Sequence, residues 1–117
     1  MANFLFVYRI KENHFSSMTP EEMQQNMQHW QTWIGEGLKK GWMLNPGDAL
    51  KMEGRVVNAK KVVTDGPFVE AKEIVGGYSM ISTDTIEEAA EFAKGCPCLP
   101  RGGSVEVREL QGVKING

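Results

Sequence analysis

The chain opens with an apolar segment, residues 3–10, whose side chains alternate with the period of a β-strand. Its even-numbered positions are all large and apolar or aromatic, and Leu5 and Val7 place apolar side chains on the other face as well. Apolar residues on both faces are typical of a strand that is covered on both sides. The pattern therefore predicts a strand in the middle of a sheet.

An amphipathic helix is predicted to begin after Thr19. Thr19 can cap it, Pro20 suits the first helical position, and Glu22 completes a capping box three residues after the cap. Gly41, which follows two lysines, is expected to end the helix. Apolar residues that recur at spacings of four, three, four and four predict its buried face: Met23, Met27, Trp30, Ile34 and Leu38.

The middle of the chain predicts extended segments joined by turns. Residues 42–44 begin a strand, and residues 45–48 carry the Asn-Pro-Gly-Asp signal of a turn. Residues 49–63 are expected to continue as a hairpin that turns at residues 53–54.

The last part of the chain predicts a strand, a short helix and a final strand. Residues 74–82 read as a strand in which a Gly-Gly pair marks a bulge or a close backbone approach. Thr85 begins a second capping box, and residues 104–108 alternate as in a strand with one face on the core. A face of mostly small residues would let the helix lie close to a sheet: Ile86, Ala89, Ala90 and Ala93.

This order of elements predicts an α+β fold, with a four-stranded antiparallel sheet and two helices on one face. Two helices can cover only one side of the sheet, although the first strand is apolar on both. We therefore expect a homodimer, in which two sheets face each other across a shared cavity.

Length and composition limit the class of protein. The chain has 117 residues, which predicts a single domain, residues 1–110, followed by a polar tail, residues 111–117. A formal charge of −2 and scattered basic residues argue against nucleic-acid binding. The longest apolar run is too short to cross a membrane, and no signal peptide is recognisable. With only two cysteines, a cytoplasmic protein is expected.

The most informative motif begins at Asp65, where an apolar β-branched run meets Asp-Gly-Pro. The carboxylate of Asp65 could act as a general acid or base, or could hold a polar substrate group. Alternatively, it could bond backbone N–H groups of its own loop in an Asx-turn. Phe68 and the charges of Glu70, Lys72 and Glu73 follow, either as substrate-binding groups or as a solvated loop with surface ion pairs.

The motif also carries a family resemblance. The residues are Asp65-Gly66-Pro67-Phe68, then Glu70, Lys72, Glu73 and Gly76-Gly77-Tyr78, and finally residues 103–108. Together they resemble the signature of the DGPF proteins, a branch of the YCII-related family, over nearly the whole chain. The resemblance implies a ferredoxin-like βαββαβ fold that dimerises as an α/β barrel. It also implies small-molecule catalysis, in a family whose activities are mostly unassigned.

Other candidate residues lie on the strands and loops. Glu106 and Arg108 share a face of the last strand, so Arg108 could hold an anionic group of a substrate or could form an ion pair. Tyr8 and Arg9, near the end of the first strand, are similar candidates. His14 lies in a polar loop, where it could carry protons or could simply be an exposed histidine.

No cofactor is implied by the motifs. Cys96-Pro97-Cys98 lacks the spacing of a thioredoxin-like pair, and no zinc ligand set is recognisable, so two reduced cysteines are the expected state and a strained disulfide is the alternative. Two functions remain open. One is a cofactor-independent acid/base enzyme that acts on an unidentified small molecule in the dimer cavity, and the other is a non-catalytic metabolite-binding protein.

Overall fold

A computed structural model describes residues 1–66 and 73–113. The elements in chain order are β1 (Ala2–Lys11), α1 (Pro20–Lys40), β2 (Met43–Ala49), β3 (Gly54–Val57), β4 (Val63–Gly66), β5 (Glu73–Thr83), α2 (Ile86–Ala93) and β6 (Ser104–Glu109). Within these residues no helix combines the length and apolar character needed to cross a membrane.

Four strands form one antiparallel sheet in the order β2-β5-β1-β6, and both helices pack on the same side of it. The predicted α+β fold, with a four-stranded antiparallel sheet and two helices, is confirmed. Strands β3 and β4 pair separately as a two-stranded hairpin, which we call the hairpin below.

Strand β1 lies in the interior of the sheet, as its alternation predicts. Its even-numbered side chains from Phe4 to Ile10 are buried in a core that includes Trp33 and Trp42, whereas its odd-numbered side chains from Leu5 to Arg9 are only half-buried. The odd side chains belong to the side of the sheet without helices, which we call the open face. By strand alternation and register, the open face carries Leu5, Val7, Arg9, Val75, Tyr78, Met80, Glu106 and Arg108.

Helix α1 begins as predicted, and Trp30 and Ile34 of its predicted face pack against the core. Thr19 and Glu22 form the complete capping box, and Gly41 ends the helix in a left-handed conformation. The predicted apolar face is wrong for its outer members, since Met23, Met27 and Leu38 are exposed.

The buried positions of α1 are Trp33 and Gly37. A Cβ at Gly37 would lie 2.9 Å from atoms of Met43 and Trp42, so the helix approaches the sheet most closely where its side chain is smallest.

Two turns in the middle of the chain lie elsewhere than predicted. Strand β2 continues through the Asn-Pro-Gly-Asp signal with register irregularities, and the side chain of Asn45 accepts from the backbone N–H of Gly47. The hairpin turns after Val57 rather than at residues 53–54. There the side chain of Asn58 accepts hydrogen bonds from the backbone N–H groups of Lys60 and Val62. The turn is thus stabilised by the side chain of Asn58, and it does not use the Glu-Gly pair at residues 53–54 on which the prediction relied.

The predicted irregularity in β5 is confirmed. The register between β1 and β5 shifts between Tyr8 and Arg9, and Gly76 is the extra residue on β5. A Cβ at Gly76 would lie 2.7 Å from the Ile10 side chain, so the bulge also lets that side chain pack closely.

Helix α2 buries Ala89 and Ala93, as expected of a face of small residues. The prediction is wrong for Ile86 and Ala90, which are exposed.

Candidate functional site

A cleft of about 440 Å³ lies between the hairpin and one end of the open face. Arg9, residues 50–55, Gly66 and residues 73–75 line it. The backbone N–H of Leu50 donates to the carbonyl of Gly76, so the segment after β2 is fixed to the bulge of β5. The cleft has the volume of an ordinary small-molecule site.

Arg9 presents the charge on the sheet side of the cleft. Its Nε and Nη2 donate to the same carboxylate oxygen of Glu106, at 3.2 and 2.9 Å. The second oxygen of Glu106 accepts from Nη1 of Arg108 at 3.3 Å. These hydrogen bonds, first from Arg9 and then from Arg108, lower the pKa of Glu106 below its ordinary value. One carboxylate therefore joins two guanidinium groups on the open face.

Arg108 differs from Arg9 in its surroundings. Its side chain is 72% exposed, whereas that of Arg9 is 39% exposed, and Arg108 is not among the described residues that line the cleft. Arg9 and Arg108 both lie on the open face. On β6, Arg108 lies on the face opposite the core-packed Val105 and Val107, as the alternation of that strand predicts. Of the two arginines that the sequence offers as candidates, the structure brings Arg9 to the cleft.

Asp65 lies inside strand β4, where it pairs with Arg55 across the hairpin. The expectation that the strand ends at Asp65 is therefore wrong, because the pairing continues through Gly66. Its side chain is 94% exposed, and its carboxylate lies 3.6 Å from Nη1 of Arg55. Gly66, the next residue, lines the cleft.

Three of the candidate binding residues, Phe68, Glu70 and Lys72, lie outside the described residues. Glu73, the fourth member of that cluster, begins β5 and is exposed. It borders the cleft and also a more open neighbouring depression that Lys11, Glu12, Asn13 and Ser16 line. Of the two described carboxylates of the motif, Asp65 and Glu73, the structure thus places Glu73 in the lining of the cleft.

His14 is buried, with 6% of its surface exposed, so the expectation of an exposed loop histidine is wrong. It follows β1, and its backbone N–H donates to the carbonyl of Lys11 while its ring packs edge-on against Phe15. Burial, and then the nearby charge of Arg101, lower the pKa of His14. His14 is not among the described residues that line the cleft.

Tyr8 lies on the opposite face of β1 from Arg9, because neighbouring residues of a strand alternate. It is buried in the core, and its hydroxyl donates to Oγ of Ser79, which in turn donates to the carbonyl of Pro46, both at 2.7 Å. Burial raises the pKa of Tyr8 far above its ordinary value. The structure therefore places Tyr8 in a buried hydrogen-bonded chain and does not bring it to the cleft.

Cys96 and Cys98 are free, buried thiols between α2 and β6, with their Sγ atoms 3.4 Å apart. The thiol of Cys96 donates to the sulfur of Cys98, which raises the pKa of Cys96 and lowers that of Cys98. Among residues 1–66 and 73–113, no group of three or more His, Cys, Asp or Glu is placed to hold a metal ion.

The segment 50–55 is the part of the site that the sequence prediction missed. The sequence predicts a hairpin arm that turns at residues 53–54. In the structure residues 50–53 instead form a connection, in which Leu50 and Met52 alternate with charged residues, and β3 begins at Gly54. Both apolar side chains are exposed toward the cleft region. Alternating apolar and charged residues are also typical of a strand, so the pattern alone does not reveal the connection.

Comparison with known proteins identifies the family but no activity. An uncharacterized protein of Rhizobium meliloti (strain 1021) is 42% identical over 50 residues, which make up 42% of this chain. The match spans 40% of that relative's length. The family model described as the YCII-related domain matches residues 4–113, nearly the whole chain. The chain therefore belongs to the YCII-related family.

Proposed function

We propose that the protein binds a small organic molecule in the cleft between the open face and the hairpin, and that it does so as a homodimer of the α/β-barrel type. The observation that carries this proposal is the composition of the cleft. Exposed apolar side chains, Leu50, Met52 and Val75, lie there beside the charged Arg9. The lining also carries four other charged side chains: Lys51, Glu53, Arg55 and Glu73. Apolar walls combined with polar groups at fixed positions are characteristic of small-molecule sites.

The dimer is supported by the open face. Leu5 and Val7 are only half-buried, and Val75 and Tyr78 are exposed on the same side of the sheet. A second copy that covered this face would bury them and would close the cleft from the side of the sheet. The cleft would then become part of a cavity shared by two protomers.

Acid/base catalysis is the second candidate function, and the position of Glu73 favours it. Its carboxylate borders the cleft, where it could remove a proton from, or return one to, a bound molecule without a cofactor. Asp65 is the alternative carboxylate, because its neighbour Gly66 lines the same cleft. A non-catalytic binding protein needs neither group to titrate.

The binding proposal can be tested with a ligand that remains bound through purification, detected by native mass spectrometry, or with a fragment library of neutral, cationic and anionic compounds. Met52→Trp should fill the cleft and lower affinity at least tenfold. Val57→Trp, at an exposed hairpin position outside the cleft lining, is the matched control and should bind like the wild type. If no compound binds, or if Met52→Trp leaves every affinity unchanged, the cleft is not a ligand site.

Catalysis needs a separate measurement on the same molecules. Glu73→Gln should lower turnover of a bound substrate by about 10²-fold or more, the usual scale for one acid/base group. Asp65→Asn is the comparison, since Asn keeps the backbone preferences of Asp while removing its charge. Binding without turnover in the wild type would leave the non-catalytic function.

A further inference from the structure

Among the described residues, Arg9 donates hydrogen bonds from only one edge of its guanidinium, and they go to Glu106. Both hydrogen bonds to Glu106 come from the Nε/Nη2 side. A guanidinium has five N–H donors, so the two on Nη1 and one on Nη2 remain. Among the described residues, no other hydrogen bond from the Arg9 side chain is present. The remaining Nη1/Nη2 edge has the fork geometry that binds a carboxylate through two parallel hydrogen bonds.

The ion pairs of Arg9 form a small cluster with an excess of positive charge. Arg9 and Arg108 share the single carboxylate of Glu106, so this cluster of three side chains carries a net charge of +1. Arg55, the other arginine of the cleft, lies within ion-pair distance of both Glu53 and Asp65. Arg9 is therefore the arginine of the cleft whose carboxylate partner, among the described residues, is shared with a second arginine.

The lining of the cleft is mixed, with apolar side chains between the charged ones. The charged residues other than Arg9 are two cations and two anions: Lys51, Arg55, Glu53 and Glu73. Leu50, Met52 and Val75 are each about two-fifths exposed, which is unusual for three large apolar side chains around one cleft. A phosphorylated or multiply charged ligand would leave these surfaces in contact with polar groups. An apolar body attached to a single anionic group matches both features, because it buries the apolar walls and places one negative charge at Arg9.

We infer that the cleft binds a compact monocarboxylate with an apolar aliphatic or aromatic body, whose carboxylate is held on the remaining Nη1/Nη2 edge of Arg9. Glu106 is the positioning residue, because it fixes the guanidinium in the orientation that presents this edge. The inference rests on the proposed binding function and names the ligand class for the same cleft. It assigns the anion to Arg9 and not to Arg108.

The test uses matched probes that differ only in their polar group. Phenylacetate, 4-phenylbutyrate and hexanoate are compared with the corresponding primary amides and primary amines by isothermal titration calorimetry on the intact protein. At least one acid should bind, and it should bind ten to a hundredfold more tightly than its amide, the range expected of a charge-assisted pair.

Arginine variants then locate the anion. Arg9→Gln should remove the preference for the acid, so that acid and amide bind equally, and Arg9→Lys should restore part of it. Arg108→Gln removes the net charge of the cluster but keeps the Arg9 fork, so it should lower the ratio of acid to amide affinity by less than Arg9→Gln does. Light scattering and melting temperatures establish that each variant keeps the wild-type mass and fold.

Glu106→Gln tests the positioning role. It should weaken acid binding severalfold while leaving amide binding unchanged, a selective loss that a general structural defect would not produce. Glu109→Gln, at an exposed position on the same strand, should bind both compounds like the wild type.

The possible failures are distinct. If only neutral or amine probes bind, and Met52→Trp blocks them, the cleft is a ligand site but the carboxylate assignment is wrong. The assignment is also wrong if Arg108→Gln abolishes the preference for the acid as completely as Arg9→Gln does. If no probe of any charge binds, both this inference and the proposed binding function fall.

Discussion

At the scale of single residues, folding lowers the pKa of two titratable groups for different chemical reasons. Glu106 is an acid whose charged form is stabilised by arginines, and His14 is a base whose charged form is disfavoured by burial. In both cases the folded protein binds the proton less readily than the unfolded chain does. Stability should therefore fall as each group is forced to take up its proton.

The acid-side prediction concerns Glu106. Because Arg9, and then Arg108, hold its pKa below the ordinary value of 4.5, its ion pairs stabilise the fold above about pH 4.5. Their contribution should be lost as the pH falls through the lowered pKa. Urea unfolding between pH 6 and pH 3 should show that Glu106→Gln is less stable at pH 6 and loses less on acidification. Glu109→Gln should keep the wild-type profile, and an unchanged profile for Glu106→Gln would contradict the prediction.

The prediction for His14 lies at higher pH. Its pKa in the folded protein is below 6.5, so the unfolded chain takes up a proton first as the pH falls. The free energy of unfolding should be highest above pH 6.5 and should decrease below it, by at most about 1.4 kcal/mol per pH unit from this group. His14→Gln should remove this decrease, measured from pH 7.5 to pH 5. His29→Gln, at an exposed position of α1, should not.

At the scale of elements, two glycines give opposite predictions for the same substitution. Gly35 lies in helix α1, and no atom lies within 4 Å of a Cβ placed there. Gly47 in β2 has φ +65°, and a Cβ there would meet the carbonyl oxygen of Tyr78. Gly35→Ala should stabilise the protein by about 0.5–1 kcal/mol through helix propensity. Gly47→Ala should destabilise it by about 1–3 kcal/mol through backbone strain. Thermal unfolding of the pair checks both signs.

Elements with local signals could be predicted from the sequence. The capping box at Thr19, the alternation of residues 3–10 and the bulge in β5 each depend on residues that are close along the chain. The sequence also placed Glu106 and Arg108 on one face, because a strand alternates whatever it pairs with. Such local rules were enough for the order and type of the main elements.

Features that depend on distant residues could not be predicted in this way. The buried face of α1 is decided by the fit of Gly37 against Trp42 and Met43, and a glycine adds no apolar signal to the helix pattern. The burial of His14 and the approach of residues 50–55 to Arg9 likewise arise from tertiary packing. For the candidate site, the sequence supplied arginines and carboxylates, and the fold decided which of them meet.

At the scale of the whole molecule, the main feature is that one side of a thin, two-layered structure is uncovered. The shortest dimension is 23 Å, about the thickness of one helix layer on one sheet. Apolar side chains gathered on the uncovered side of a sheet mark a surface for interaction with another molecule. The open face is therefore the surface where we expect a second protomer.

The dimer prediction can be tested with one substitution on each side of the sheet. Size exclusion with light scattering should give about twice the 13.1 kDa chain mass for the wild type. Tyr78→Glu, on the open face, should shift the protein toward monomer by placing a charge in the interface. Met27→Glu, at an exposed apolar position on the helix side, should remain dimeric. A monomeric wild type at micromolar concentration would show that the open face is not an interface.

The buried thiol pair has a practical consequence for following the molecule in solution. Cys96 and Cys98 are the only cysteines of the chain, and both are enclosed at the corner between α2 and β6. A thiol reagent such as Ellman's reagent can therefore react only while that corner is open. The rate of colour release under native conditions would time its opening, without any added label and without a single substitution. The two cysteines thus serve as a built-in probe of local opening.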